Sequence, residues 1–442
     1  MPKKVGFVNL GCPKNQIDAE IMMKKLQNEG YILTSHTGFA DVVIVNTCGF
    51  IESAKQESID NILEFCHLKD EGQVSKIIVT GCLAERYREE LIQEIPELDA
   101  VVGIGSNQDI CNIVRQVVDG EKIEQFGPKE ALPLEGERYL TTLPYYAYIK
   151  IAEGCSNCCS YCAIPSIRGR FRSRKMEDIV EEAKRLAADG VKELIVVAQD
   201  TTRYGEDLYG HSALPELLRR LCRVEGLVWI RVLYCYPERI TDELIDVFAE
   251  EDKMVKYIDI PMQHINGEVL RRMNRRGDRN SLESLIEKFR AKVPGITIRT
   301  TLIAGFPGET LEQFEELVQF VKDTRLERLG CFAYSQEEGT PAAEMDGQLD
   351  EEEKARRAEI VTEEQMNILL SLNEQMIGKT IQVIVEGYDR YAESFFGRGQ
   401  ADAPEIDGKI FFSSTRKRKQ GEFVRVLIDD MLDYDLIGHV IE

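Results

Sequence analysis

Short apolar runs alternate along the chain with longer stretches in which apolar side chains recur every three or four positions. In the first part, Val5–Leu10, Val42–Thr47, Lys76–Thr80 and Ala100–Ile104 are brief, rich in β-branched residues and closed by Gly or turn residues, which predicts buried strands. Lys14–Glu29, Glu52–Cys66, Ala84–Glu94 and Gln108–Val118 carry helical spacing between them. Strand and helix in alternation predict a doubly wound parallel sheet over residues 1–125. Residues 126–144, which hold Pro128, Pro133 and Pro144, read as a linker.

The alternation restarts at Tyr145. Tyr145–Ala152, Glu193–Ala198, Val228–Tyr234, Val255–Ile260, Ile296–Ala304 and Leu329–Tyr334 predict six strands. Met176–Ala188, Leu214–Arg223, Asp242–Glu251, Leu282–Val293 and Leu311–Thr324 predict helices between them, and Asp350–Gln375 a long acidic helix at the end. Six βα units within residues 145–376 predict a partial, TIM-like (β/α)6 barrel, open on one side. In residues 377–442 the texture changes. Ile381–Glu386, Phe396–Asp402, Lys409–Phe412, Phe423–Ile428 and Leu436–Ile441 are short strands between Gly- and Asp-bearing turns, which predicts a small antiparallel barrel of the OB type. The chain is therefore of the α/β class, with three units.

A hydrophobic fraction of 43% and a charged fraction of 30% exclude a disordered chain. No apolar run approaches the roughly 20 residues of a membrane crossing, and the start of the chain lacks the apolar core of a secretion signal. A cytoplasmic, soluble protein without a membrane partner is expected. The net charge of −22 repels bare phosphate backbones and suits a basic partner, so direct nucleic-acid binding is not expected. Twelve Cys are too many for chance core thiols, in a chain too long to need disulfide staples.

The Cys positions carry the chemistry. Glu153-Gly154-Cys155-Ser156-Asn157-Cys158-Cys159-Ser160-Tyr161-Cys162 follows the first strand of the central unit, at the end where such barrels hold active sites. Cys155, Cys159 and Cys162 form Cys-x3-Cys-x2-Cys, three thiolates for a cubane of iron and sulfide that leave one iron open to a chelating small molecule. Tyr161 stands beside the last ligand, placed to shield the cluster or face an adenine. The rival reading pairs Cys155 with Cys158 and Cys159 with Cys162 for zinc or a redox dithiol, but contiguous pairs give poor tetrahedral geometry. Cys12, Cys48 and Cys82 each follow a predicted strand in a Gly-flanked turn. Strand C-termini of a parallel sheet lie on one edge, so these thiols converge as a second three-ligand set.

The other cysteines, Cys66, Cys111, Cys222, Cys235 and Cys331, fall on helix faces or within strands and read as packing. The five His have no metal-site spacing, and Arg416-Lys417-Arg418-Lys419 reads as a solvated turn.

The Cys-x3-Cys-x2-Cys loop on a six-unit barrel resembles the radical S-adenosylmethionine (SAM) enzymes. With the three-Cys N-terminal domain and a TRAM-like C-terminal barrel, the whole chain resembles the methylthiotransferases. Leu10-Gly11-Cys12-Pro13-Lys14-Asn15 and Ala198-Gln199-Asp200-Thr201-Thr202-Arg203-Tyr204-Gly205 are similar to the branch that modifies the β-carbon of an aspartate in ribosomal protein S-twelve. Ala304-Gly305-Phe306-Pro307-Gly308-Glu309 and Tyr334-Ser335-Gln336-Glu337-Glu338-Gly339-Thr340-Pro341 match as well. Cys158 departs from the pattern, where a basic or polar residue is usual.

The resemblance implies a SAM-binding 4Fe–4S cluster on Cys155, Cys159 and Cys162, and an auxiliary 4Fe–4S cluster on Cys12, Cys48 and Cys82. It places Gln199 and Asp200 near the SAM amino group, and Gly305 and Glu309 along the SAM pocket. It also implies an electron donor such as flavodoxin or ferredoxin, a SAM-derived radical that abstracts hydrogen, sulfur from the auxiliary cluster and a methyl group from a second SAM. The nearest rival is a tRNA adenosine methylthiotransferase of the MiaB or MtaB type. Residues 378–442 hold nine Lys and Arg against twelve Asp and Glu, an unsuitable face for tRNA, whereas ribosomal proteins are basic. A pure electron carrier would need four-Cys sites, and both sets have three.

Overall fold

The computed structural model describes residues 3–441. Six parallel strands, β1 (Lys4–Asn9), β2 (Ile32–Thr34), β3 (Val42–Thr47), β4 (Lys76–Gly81), β5 (Ala100–Val102) and β6 (Ile123–Gln125), form the first sheet in the order β2-β1-β3-β4-β5-β6. The order steps outward in both directions from β1 and β3, the doubly wound arrangement expected. β3 is buried along its whole length, which is why its run is apolar at every position but the last two. The edge strands β2 and β6, three residues each and half polar, left no pattern to read. The segment expected as one helix over Ala84–Glu94 is two, Cys82–Arg86 and Arg88–Glu94, broken at Tyr87. The strand expected to reach Ile104 stops at Val102 and turns into a 3₁₀ helix, Ile104–Asp109.

The central sheet is β7 (Tyr146–Lys150), β10 (Glu193–Val197), β11 (Trp229–Val232), β12 (Met254–Asp259), β13 (Thr297–Ala304) and β14 (Arg328–Ala333), all parallel and in sequence order. β8 (Ala152–Glu153) and β9 (Arg172–Ser173) form a separate two-residue ribbon at the top of β7. Alternate strand residues face outward onto the helices, among them Ile149, Val196, Val232, Ile258 and Leu302. The inward set has a different fate. Tyr148, Ile195, Trp229 and Tyr257 pack with Ile17 and Ile21 of the first helix (Pro13–Asn28) and with Ile384, Ala403 and Phe423 from the C-terminal unit. The half-barrel is thus filled by its two neighbours rather than by itself.

The C-terminal unit closes as a five-stranded barrel of β15 (Thr380–Asp389), β16 (Ser394–Arg398), β17 (Ile410–Ser413), β19 (Asp435–Val440) and β18 (Phe423–Leu432), with one parallel seam between β17 and β19. It plugs the mouth where the central strands begin. The Trp229 ring meets Phe423 edge-on at 4.8 Å. Glu193, the first residue of β10, is held by Arg231 at 2.8 Å and Arg398 at 2.7 Å, and Arg398 reaches Glu386 at 2.6 Å. The opposite mouth, where the Cys loop emerges, is left for chemistry.

Residues 126–144 contain only a 3₁₀ turn, Lys129–Ala131, yet they are fastened down. Buried Arg138 bridges Glu20 of the first domain and Glu182 of the central one at 2.7 and 2.8 Å.

Candidate metal centres at the domain junction

The three early cysteines each end a parallel strand. Cys12 precedes the helix Pro13–Asn28, Cys48 follows β3, and Cys82 opens the helix Cys82–Arg86. Glycine lets the loops touch. A Cβ on Gly11 would stand 3.0 Å from Cys48 Sγ, and one on Gly49 would stand 2.7 Å from the Leu83 backbone. On Gly81, whose φ is +98°, a Cβ would stand 2.5 Å from the Thr47 carbonyl oxygen. Gly81→Ala is therefore expected to cost more than the roughly 1–2 kcal/mol of a left-handed L-residue. Cys82 shifts with it, and iron bound per chain after anaerobic reconstitution measures the loss.

Electrostatics differ within the trio. Burial, with Cys82 and Cys12 nearby, pushes the Cys48 thiol up to about 12. Burial also pushes Cys82 up, against the pull of Arg168. At Cys12 burial is outweighed by the Lys14 and Arg168 cations and the Asn15 and Lys14 N–H groups, and the thiol titrates below its ordinary value. The mutual influence of all three is itself a sign that they share one small volume.

The second set sits across the junction. Cys155 follows the ribbon strand β8, and its N–H donates to the Gly169 carbonyl at 3.1 Å. Asn157 donates to Asp200 at 2.8 Å, Ser160 N–H to the Met273 carbonyl at 3.0 Å, and Asn274 to the Cys158 carbonyl at 2.8 Å. These bonds hold the loop over the C-terminal ends of the strands. Burial raises Cys155 to about 11 and Cys162 further. Cys158 is exposed, its backbone is left-handed with φ of +53°, and its thiol lies 3.8 Å from the Ser156 carbonyl. Cys82 packs on Ala163 and Ile167, immediately after Cys162, so the two sets adjoin.

Arg168 is the bridge. It is buried and donates to Asp18 at 2.8 Å, to both Glu153 oxygens at 3.1 and 3.2 Å, and to Asn15 at 3.1 Å. Lys150 completes the square with Asp18 and Glu153, each at 2.6 Å. Burial would raise the Glu153 carboxyl, but Lys150 and Arg168 hold it well below the usual range. Among the described residues no three His, Cys, Asp or Glu side chains close tightly enough for a single ion. Each trio offers three thiol donors, the ligand type that an iron–sulfur cluster takes.

Ribosomal protein uS12 methylthiotransferase RimO of Thermoanaerobacter sp. (strain X514) is 48% identical over 437 residues, covering 99% of each chain. The proteins of that name from Clostridioides difficile (strain 630) and Pelotomaculum thermopropionicum are 49% and 50% identical, again over 99% of both chains. The chain belongs to the RimO methylthiotransferase family. Within this RimO-family chain, residues 4–103 match the uncharacterized protein family UPF0004, residues 149–321 the radical SAM superfamily and residues 377–441 the TRAM domain. The radical S-adenosylmethionine methyltransferase TsrM of Kitasatospora setae, solved with cobalamin and a 4Fe–4S cluster bound, shares the fold at a TM-score of 0.56 and 16% identity over 77% of each chain. The cobalamin-dependent radical enzyme OxsB does so at 0.52 and 13%, over 82% of this chain and 56% of its own.

The residues expected around SAM fare unequally. Gln199 donates to Glu153 at 2.7 Å, and its Oε1 is buried with no partner among the described residues, an open acceptor for an ammonium group. Asp200 is buried and accepts from Asn157 at 2.8 Å and Thr202 at 2.6 Å, which ties it to the Cys loop. Tyr161 lines a cavity of about 480 Å³ with Gln263, Ile303, Phe332 and, from the first domain, Phe50. Gly305 and Glu309 line neither this cavity nor the one behind the loop. The Glu309 carboxylate is taken by the Gly305 N–H at 3.0 Å, Arg357 at 2.7 Å and His264 at 3.4 Å, and Gly305 lies against Lys354 of the long helix Glu351–Glu374. They brace the turn after β13.

Sequence reasoning missed Arg168 and Glu337. Glu337, in the loop after β14, is buried and meets Arg86 at 2.7 Å and Lys55 at 3.2 Å, clamping the first domain over the cavity. The signal for Arg168 was present: Lys150 and Glu153 flank a wholly buried strand end, and buried charges demand a partner.

Proposed function

We propose that this chain methylthiolates the β-carbon of an aspartate in ribosomal protein uS12, in the cytoplasm, using two SAM molecules and two 4Fe–4S clusters. Cys155, Cys159 and Cys162 would hold the SAM-binding cluster and Cys12, Cys48 and Cys82 the auxiliary one. When bound, these groups supply one-electron cleavage of SAM, hydrogen-atom abstraction and a sulfur source. An aspartate β C–H is strong and non-acidic, which is why a side-chain base does not suffice.

The chain's own residues supply placement. Gln199 offers the open carbonyl to the SAM ammonium, and Glu153 fixes that amide while remaining ionised. Tyr161, Ile303 and Phe332 wall a cavity with mostly apolar sides, which limits water around a reactive carbon centre. The observation that carries the reading is the meeting of two three-cysteine sets, one per domain, at Cys82, Ala163 and Ile167. An electron carrier such as flavodoxin or ferredoxin serves as donor. No helix among the described residues is long and apolar enough to cross a membrane.

Anaerobic turnover with SAM and reductant is expected to replace one hydrogen by a methylthio group on one uS12 aspartate, read by peptide mass spectrometry, with 5′-deoxyadenosine formed alongside. A new methylthio nucleoside in tRNA, with uS12 unchanged, would transfer the chain to the tRNA branch.

A further inference from the structure

A second cavity, of about 600 Å³, is lined in part by Ser156 and Asn157 of the Cys loop. Its wall carries Arg203, Arg239, Arg271, Arg275 and Arg276 against one carboxylate, Glu238. That is a local inversion of charge on a chain whose net charge is −22. The floor is Tyr236, whose hydroxyl lies 3.4 Å from Cys159 Sγ. Arg275 stacks over the Tyr236 ring at 4.2 Å and pairs with Glu238 at 2.8 Å, so its charge is spent on the floor. Arg203 and Arg239 share Glu206. Arg271 and Arg276 are exposed, and among the described residues neither has a carboxylate partner within 4.0 Å.

We propose that this arginine-lined cavity is the docking face for an acidic one-electron carrier protein, which delivers its electron across Tyr236 to the cluster on Cys155, Cys159 and Cys162. The step is balanced: the reduced carrier loses one electron and the cluster gains it. The inference rests on the functional reading above for its cluster and adds where the donor sits. Position favours an electron carrier over an RNA strand, because the cavity floor is one side chain from a ligand sulfur and a short path speeds transfer. Chemistry favours it too. A single-strand site wants open aromatic platforms, whereas the one ring here is covered by Arg275. Complementary charge speeds such encounters and is screened by salt.

The test uses holoenzyme bearing Arg271→Glu with Arg276→Glu, and the milder pair Arg271→Gln with Arg276→Gln. Fluorescence anisotropy of a labelled, oxidised flavodoxin measures binding without turnover. Wild type is expected to bind in a salt-sensitive way, the Gln pair more weakly, and the Glu pair about tenfold or more weakly still. With dithionite, which needs no docking, 5′-deoxyadenosine formation stays within about twofold of wild type; with reduced flavodoxin it falls about tenfold. Unchanged flavodoxin binding in both pairs overturns the proposal. So does an equal loss with both reductants in the Gln pair, or lost binding to the assembled small ribosomal subunit while flavodoxin binding persists. Wild-type holoenzyme that makes no 5′-deoxyadenosine with dithionite defeats the functional reading instead, and the anisotropy still decides the docking face.

Discussion

Holoenzyme carrying Cys48→Ala is expected to go on cleaving SAM while making no methylthio product. The geometry isolates this residue. Its backbone is secured by Ser58, whose hydroxyl accepts from the Cys48 N–H at 3.0 Å and donates to the Cys48 carbonyl at 2.9 Å, so the loop does not depend on the thiol. Cys48 belongs to the first domain, and the member of its trio that packs on Ala163 and Ile167 across the junction is Cys82. Losing one of three ligands should release the auxiliary cluster and halve the iron per chain. 5′-Deoxyadenosine formation should stay within about threefold of wild type, while methylthiolated uS12 falls by at least about a hundredfold, the scale at which loss of metal support is felt. Cys159→Ala, on the other loop, should remove both outputs together. If Cys48→Ala kept full product, or lost SAM cleavage as completely as Cys159→Ala, the division of labour between the trios would be wrong.

Much of this arrangement could be read from the chain because it follows from periodicity and topology. All six strands of the central sheet lie where their apolar runs predicted, and β7, β10, β11 and β12 are buried along all or nearly all of their length, which keeps their runs mostly apolar. The convergence of Cys12, Cys48 and Cys82 followed from the rule that parallel strands end on one edge. What escaped is of another kind. The edge strands Ile32–Thr34 and Ile123–Gln125 are held by one neighbour and leave no alternation. The contacts of the Glu309 carboxylate with His264 and Arg357 span long sequence separations, and no local pattern announces them. Arg168 and Glu337 act between domains, and no local pattern encodes which distant carboxylate or guanidinium a charge will meet. The plugging of the barrel by Phe423 and Ile17 is likewise a property of three units together.

Arg168→Met is the sharpest test of the junction itself. The substitution keeps much of the buried bulk and removes the charge, leaving Asp18 and Glu153 to share Lys150 alone. Breaking a buried pair by removing one partner costs about 3–5 kcal/mol, so the melting midpoint should fall by several degrees at neutral pH. The pH dependence has a definite sign. In the wild type the Glu153 carboxyl is depressed, so its contribution is full above the ordinary carboxylate range and is lost only as pH falls through the folded value. In Arg168→Met the same carboxyl is buried and under-compensated; its folded pKa rises, and protonation relieves the strain. The stability gap between the two proteins should therefore narrow as pH is lowered from neutrality toward the carboxylate range. Because Arg168 also pulls on Cys82 and Cys12, iron should be lost from the first-domain trio before the second. The strap 126–144, pinned by the same junction, should be cut faster by protease. A variant with wild-type melting, wild-type pH dependence and an equally resistant strap would mean that packing at Cys82, Ala163 and Ile167, rather than this square of charges, holds the two thiol trios in register.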